Sequence, residues 1–176
     1  MSRFLLASFL FASTLPAAAG VSVGHPVPTV LAAANGLTFS EATLSVSQVD
    51  VETCSGQSDA LIASQTADPV EGDHLDLPEG SHCDMVLVLD GTLSIAGSGP
   101  GGTFELLLDV DALDVDLPQT PTVISSSSGW TLRVGQADWT SASELGLSGG
   151  NHVVVDTSHP LHDSLVQRLQ ASTSLE

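Results

Sequence analysis

The sequence has no tyrosine and no lysine, and its only basic side chains besides histidine are Arg3, Arg133 and Arg168. Against these stand 21 acidic residues, for a net charge of −18. A field of that sign repels phosphate backbones and anionic lipid surfaces, so nucleic acid is excluded as a partner and direct membrane binding is disfavoured. The acids are spread along the chain rather than clustered, which suits a solubility device, including one in a salty habitat that screens self-repulsion. Aromatics are also scarce: five Phe and two Trp, with Phe4, Phe9 and Phe11 close to the first residue. The core must therefore be built from Val, Leu, Ile and Ala. No apolar run reaches the length of a membrane span. There is no C-x-x-C pair, no internal repeat and no phosphate-cradling loop, because the Gly-rich Gly97–Gly102 joins two strands and contains no Lys.

What is present begins with a leader. Arg3 supplies a positive start, Phe4 to Leu15 a short apolar segment, and Ala17-Ala18-Ala19 a small-residue cleavage box. Residues 1–19 thus read as a signal peptide, leaving about 157 residues exported to the periplasm or the extracellular space, with no insertion into the membrane after cleavage. No Cys adjoins the cleavage point, which argues against a lipid anchor. A chain of that size suits one domain, and folding would bury roughly 70% of its unfolded surface. Cys54 and Cys83 are the only cysteines, and in an oxidising compartment the pair predicts a disulfide. Closing that loop would stabilise the fold by about 3 kcal/mol in the chain-entropy account.

Residues 20–36 read as a lead-in ending in the turn signal Asn35-Gly36, and 37–176 as one β-sandwich domain with a C-terminal helix. Ala42, Leu44 and Val46 alternate with polar residues, and Val49 and Val51 continue on the other phase, predicting a long strand with a slip or bulge at Ser47-Gln48. Ser55 to Pro78 reads as a long polar loop with room for one short strand at His74–Leu77. Met85–Leu89, the hairpin signal Asp90-Gly91, Thr92–Ala96 and the alternation Phe104, Leu106, Leu108, Val110 predict an antiparallel meander, with a phase slip at Ala112. Short strands are expected at Val123-Ile124, Trp130–Val134 and His152–Val155, with an irregular or helical piece around Asp138–Leu145. Ser158 is placed to cap a closing helix with Pro160 in its first turn and Leu161, Leu165, Val166 and Leu169 as its apolar stripe. The fold class is mainly β: an antiparallel β-sandwich with one C-terminal α-helix.

Gly146-Leu147-Ser148-Gly149-Gly150 matches G-x-S-x-G, but the nucleophile elbow needs a strand before the Ser and a helix after it, and the order here is reversed. Asp156 and His159 lie too near for partners carried by separate loops, so a Gly-rich turn explains the letters better. His159 and His162 stand at i and i+3 at a helix start, a spacing that suits copper or zinc, and His74 and His82 flank acids beside Cys83. Ordinary surface positions account for these four better than a metal site does. Asp109, Asp111, Asp114 and Asp116 lack the Gly and Glu of a calcium loop and follow strand periodicity, as a solvated face does. Trp130 and Trp139 would form a ligand platform if exposed together, but with so few aromatics, core positions are expected.

Two stretches, Glu41–Val51 and Leu77-Pro78-Glu79-Gly80-Ser81-His82-Cys83-Asp84-Met85-Val86-Leu87-Val88-Leu89, resemble a pattern in exported bacterial β-domains of unknown function, many of them lipoproteins. Trp139 and the Pro-Leu-containing closing helix are also similar to the ends of such chains. His82 stands where that pattern often has an aromatic residue. The resemblance implies a secreted or surface β-sandwich and transfers no functional residue. The expectation is an exported, non-catalytic module with no cofactor whose partner is an unidentified protein or small ligand. The alternative is a periplasmic copper or zinc carrier, which requires His159 and His162 to converge with one of His25, His74, His82 or His152.

Overall fold

The computed structural model describes residues 23–32, 34–135, 139–147 and 149–176; residues 1–19, expected to be a signal peptide, lie outside them. The fold is organised by its longest strand, β2 (Thr38–Glu52). β2 buries Ala42, Leu44 and Val46, then Val49 and Val51, and its ladders to both neighbours shift register between Val46 and Gln48. The extra residue is the bulge that the change of phase predicts: without it, one of the two apolar sets would face solvent.

The Asp90-Gly91 hairpin does not form. β6 (Asp84–Leu89) and β7 (Thr92–Gly99) both pair antiparallel with β2, at Val46↔Leu89 and Thr43↔Ser94, with Asp90 N–H donating to Ser45 O at 2.9 Å. The chain runs on along β2 instead of reversing, and Gly91, at φ 96°, absorbs the extra residues. A turn dipeptide reverses the chain when its flanking strands are each other's best partners; here a longer strand is available to both. The true hairpin is the next one, where β7 pairs with β8 (Gly102–Asp109) up to Gly99↔Gly102. β9 (Ala112–Asp114) then pairs with β6, so the predicted slip at Ala112 marks a bend matching the one at Gly91. Gly97 is needed for close approach: a Cβ there would sit 2.3 Å from Thr38 O and 2.6 Å from Phe104 Cζ.

The supposed loop after Cys54 contains a ten-residue strand, β3 (Ser58–Ala67), paired with β2. Its small and polar residues conceal it, since an edge strand needs few large apolar side chains. The lead-in is likewise part of the fold. β1 (Gly24–Leu31) pairs antiparallel with β4 (His74–Pro78) and parallel with β11 (Leu132–Val134), which pairs with β13 (Ser174–Leu175). This four-stranded sheet turns Val27, Leu75, Leu77, Leu132, Val134 and Leu175 toward the inner face of the larger sheet, and all belong to one core with Leu44, Leu87, Ile95 and Leu106. Between the sheets, the Gln65 side chain acts as a peptide surrogate: its Nε2 donates to Asp76 O at 3.0 Å and its Oε1 accepts Asp76 N–H at 2.6 Å. β5 (Gly80–His82) and β10 (Thr122–Ile124) make a small separate pair. β12 (Asn151–Val155) adds to β8 in parallel, a second long-range pairing.

The closing helix α1 spans His162–Gln170, with Leu161 as its N-cap residue and no side-chain cap. Ser158 is not the cap: its N–H and Oγ both donate to Asp156 Oδ1, at 2.9 and 2.6 Å. Leu165 and Leu169 are buried, as their spacing predicts. The helix is fixed to the β8–β9 bend by Asp109 N–H donating to His162 Nε2 at 3.1 Å and by Gln170 Nε2 donating to Ala112 O at 3.1 Å. Arg168 forks onto Glu144, its Nη2 to Oε1 at 2.6 Å and its Nη1 to Oε2 at 3.0 Å.

Two tests follow from the docking of α1. Leu165→Ala should cost about 2–5 kcal/mol by leaving a cavity in the core, and His162→Ala about 1–3 kcal/mol by orphaning the Asp109 amide; denaturant midpoints at unchanged slope check both. The two Ser158 bonds hold the Asp156 carboxyl below its ordinary value of 3.8. A lowered value makes the carboxylate stabilising above the ordinary value, with loss as pH falls through the lowered one. The stability gap between the wild type and Asp156→Ala should therefore be full near neutrality and narrow below pH 3.8, as read by thermal melts across that range.

Candidate functional site

The corner where β2, β3 and β6 meet holds an open concavity of ≈ 390 Å³ lined by Asp50, Glu52, Ser58, Asp59, Asp84 and Val86, among others. Its geometry follows from strand register. Asp50 lies opposite Ala60 on one side and Val86 on the other; Glu52 lies opposite Ser58 and Asp84. Cross-strand partners share a face, so Asp50, Glu52 and Asp84 all point outward beside one another while Val51 and Met85 fill the core beneath. Gln48 Nε2 donates to Asp50 Oδ1, and Met85 N–H donates to Asp84 Oδ1 at 3.0 Å. Directly opposed like charges such as Glu52 and Asp84 are destabilising.

The disulfide closes this corner. Cys54 and Cys83 are bonded, 29 residues apart with Cα atoms 5.1 Å apart, and Cys83 N–H donates to Glu52 O at 2.7 Å. The predicted pairing is therefore present, and it adjoins the carboxylates. The site could have been found from the cysteines: bonding Cys54 to Cys83 brings Glu52 and Asp84, two and one residues away, side by side. The acidic residues themselves gave no signal, since i and i+2 acids on a strand read as an ordinary solvated face.

Of the four histidines expected as ligands, His159 and His162 are neighbours at the approach to α1, while His74 lies on β4 and His82 on β5. His74 is exposed on β4, opposite Pro28. His82 is buried on β5, with Nε2 2.9 Å from Pro78 O and Nδ1 enclosed without a partner. His162 uses both ring nitrogens, Nε2 toward the Asp109 amide and Nδ1 toward Asp163 Oδ1 at 2.9 Å. His159 Nδ1 accepts Leu161 N–H at 3.2 Å, so this ring ties down the approach to the helix. Elsewhere, His25 Nδ1 is 4.0 Å from Glu79 Oε1, and His152 Nδ1 is 2.9 Å from Thr103 Oγ1. Among the described residues, no three His, Cys, Asp or Glu side chains are grouped so as to hold a metal.

The remaining motifs resolve as structure. Ser148 lies outside the described residues, and around it Gly146, Gly149 and Gly150 have φ of 64°, 69° and 80°, the left-handed backbone of a glycine turn. Asp109, Asp111, Asp114 and Asp116 are exposed. Trp139 is buried and stacks on Phe39, with centroids 6.2 Å apart, while Trp130 is half-buried and donates Nε1–H to Val123 O at 2.7 Å. No helix among the described residues is long and apolar enough to cross a membrane. No family model, no curated protein and no solved structure matches the chain.

Relief of the opposed charges gives a direct test of the site's electrostatics. Glu52→Gln should raise stability by about 0.2–1 kcal/mol at low salt, and the gain should shrink at high salt, as measured by denaturant unfolding at two salt concentrations.

Proposed function

We propose that the chain is an exported, non-catalytic β-sandwich module of the cell envelope or the secreted fraction, acting through contact with a protein or small ligand. The observation that carries this reading is the Cys54–Cys83 bond, which is consistent with an oxidising environment and uses both cysteines of the sequence. The leader pattern over residues 1–19 and the likeness of the Glu41–Val51 and Leu77–Leu89 stretches to exported β-domains support it independently. The charge of the surface supports a partner that is neither nucleic acid nor anionic lipid. Both arginines of the domain already have acidic partners, Arg133 with Glu176 at 2.9 Å and Arg168 with Glu144, so neither offsets the field elsewhere. For the alternative, a copper or zinc carrier, no group of three or more His, Cys, Asp or Glu side chains able to hold a metal lies among the described residues.

The test is isolation of the native protein from fractionated cells. Intact mass should correspond to a chain starting at Gly20, in the periplasmic or extracellular fraction, with no free thiol under denaturing titration and no stoichiometric copper or zinc by elemental analysis. A retained leader in the cytosol with two titrating thiols would overturn the reading, and one equivalent of metal would restore the carrier.

A further inference from the structure

We propose that the Cys54–Cys83 bond is a clasp across a self-repelling strand end, so that its reduction opens the β2–β3–β6 corner, in a manner governed by ionic strength, while the rest of the sandwich stays folded. The inference does not depend on export. Glu52 and Asp84 are cross-strand partners, Asp50 shares their face, and the bond lies immediately beyond them. None of these three carboxylates has a cation partner among the described residues; Arg133 and Arg168 are taken up by Glu176 and Glu144. Opposed carboxylates at a cross-strand separation of about 5 Å repel unscreened at low salt.

Val51 and Met85 anchor the base of this corner in the core, and past them only hydrogen bonds and the disulfide hold the strand end. Beyond Glu52 the chain enters the exposed turn 53–57, held by Thr53 N–H to Gln57 O at 2.9 Å and Gly56 N–H to Thr53 O at 2.8 Å. Cys83 stands between β5, which pairs with β10, and β6, which pairs with β2, so the bond also joins the small sheet to the large one. Farther along, the same strands bury Val49, Leu87 and Leu89 in the continuous core, which limits the opening to the corner.

Cys54 is exposed and Cys83 half-buried, so an external dithiol can reach the bond. A thiolate of the dithiol attacks Cys54 Sγ, and Cys83 leaves as a thiolate and takes up a proton. The dithiol's second thiolate then displaces Cys54. The protein gains two electrons and two protons, and the reductant leaves as its own disulfide.

The experiment is hydrogen exchange by mass spectrometry on the folded protein before and after reduction with dithiothreitol, in about 0.02 M and about 1 M NaCl, where the screening length falls from above 10 Å to about 3 Å. Peptides covering 48–62 and 82–90 report the corner, and one covering 92–108 serves as reference. At low salt, reduction should speed exchange in the corner by roughly tenfold or more with the reference unchanged, as local opening does. Molar salt, or the double variant E52Q/D84N, should remove most of that increase. Three outcomes would overturn the proposal: a corner that stays protected on reduction, an increase unaltered by both salt and the double variant, or equal opening of the reference peptide. The salt arm is read on the wild type, so it stands even if the variant folds poorly.

Discussion

β2 presents Ala42, Leu44 and Val46 to the core in one phase and Val49 and Val51 in the other, and both sets are buried because the ladder skips a residue between Val46 and Gln48. Most of the larger sheet follows from that constraint. The β6–β7 arm that pairs with β2 bends at Asp90-Gly91, and the β8–β9 arm that pairs with β7 and β6 bends beside it at Val110-Asp111, where Leu89 N–H donates to Asp111 O at 2.9 Å. A strand that changes phase in this way coils the sheet more strongly than a flat ladder would. The concave inner face then accommodates the four-stranded sheet, with α1 docked at the bend.

The energetics divide cleanly between interior and surface. Inside, aliphatic side chains from both sheets make one continuous core, and the main aromatic contributions are Phe104 and the Phe39–Trp139 stack. Outside, the acids lack enough cations to balance them, so the surface opposes compaction and the core must offset that cost. The opposition concentrates where strand register, not sequence proximity, aligns Glu52 with Asp84. The covalent bond lies just beyond that opposed pair, where it holds the two strands together against their repulsion.

The parts of this architecture legible from the sequence were those written in local periodicity. The bulge at Ser47-Gln48, the β7–β8 hairpin, the slip at Ala112 and the stripe Leu165, Leu169 all lie on alternating or helical apolar patterns. What was not legible depends on partners distant in the chain. Asp90-Gly91 carries the letters of a reversal, and only the length of β2 makes it a bend. β3 has too few large apolar residues to announce itself, and the parallel pairings β1–β11 and β8–β12 have no local signature. The acidic corner was implicit in the cysteine pair but needed register to become visible. The histidines illustrate the same limit: the i, i+3 spacing of His159 and His162 is visible in the sequence, but that one ring nitrogen of each accepts a backbone N–H, from Leu161 and Asp109, is not.

Because the chain contains no tyrosine, its near-ultraviolet emission comes from two indoles alone, and they sit in opposite surroundings. Trp139 is enclosed against Phe39 with its Nε1 unpartnered, whereas Trp130 lies at the boundary with its Nε1 bound to the carbonyl of Val123. The molecule thus contains its own pair of optical reporters, one sensing the interior and one the rim beside β10. Their separate quenching by a soluble acrylamide probe would distinguish loosening at the surface from loss of the core without any added label.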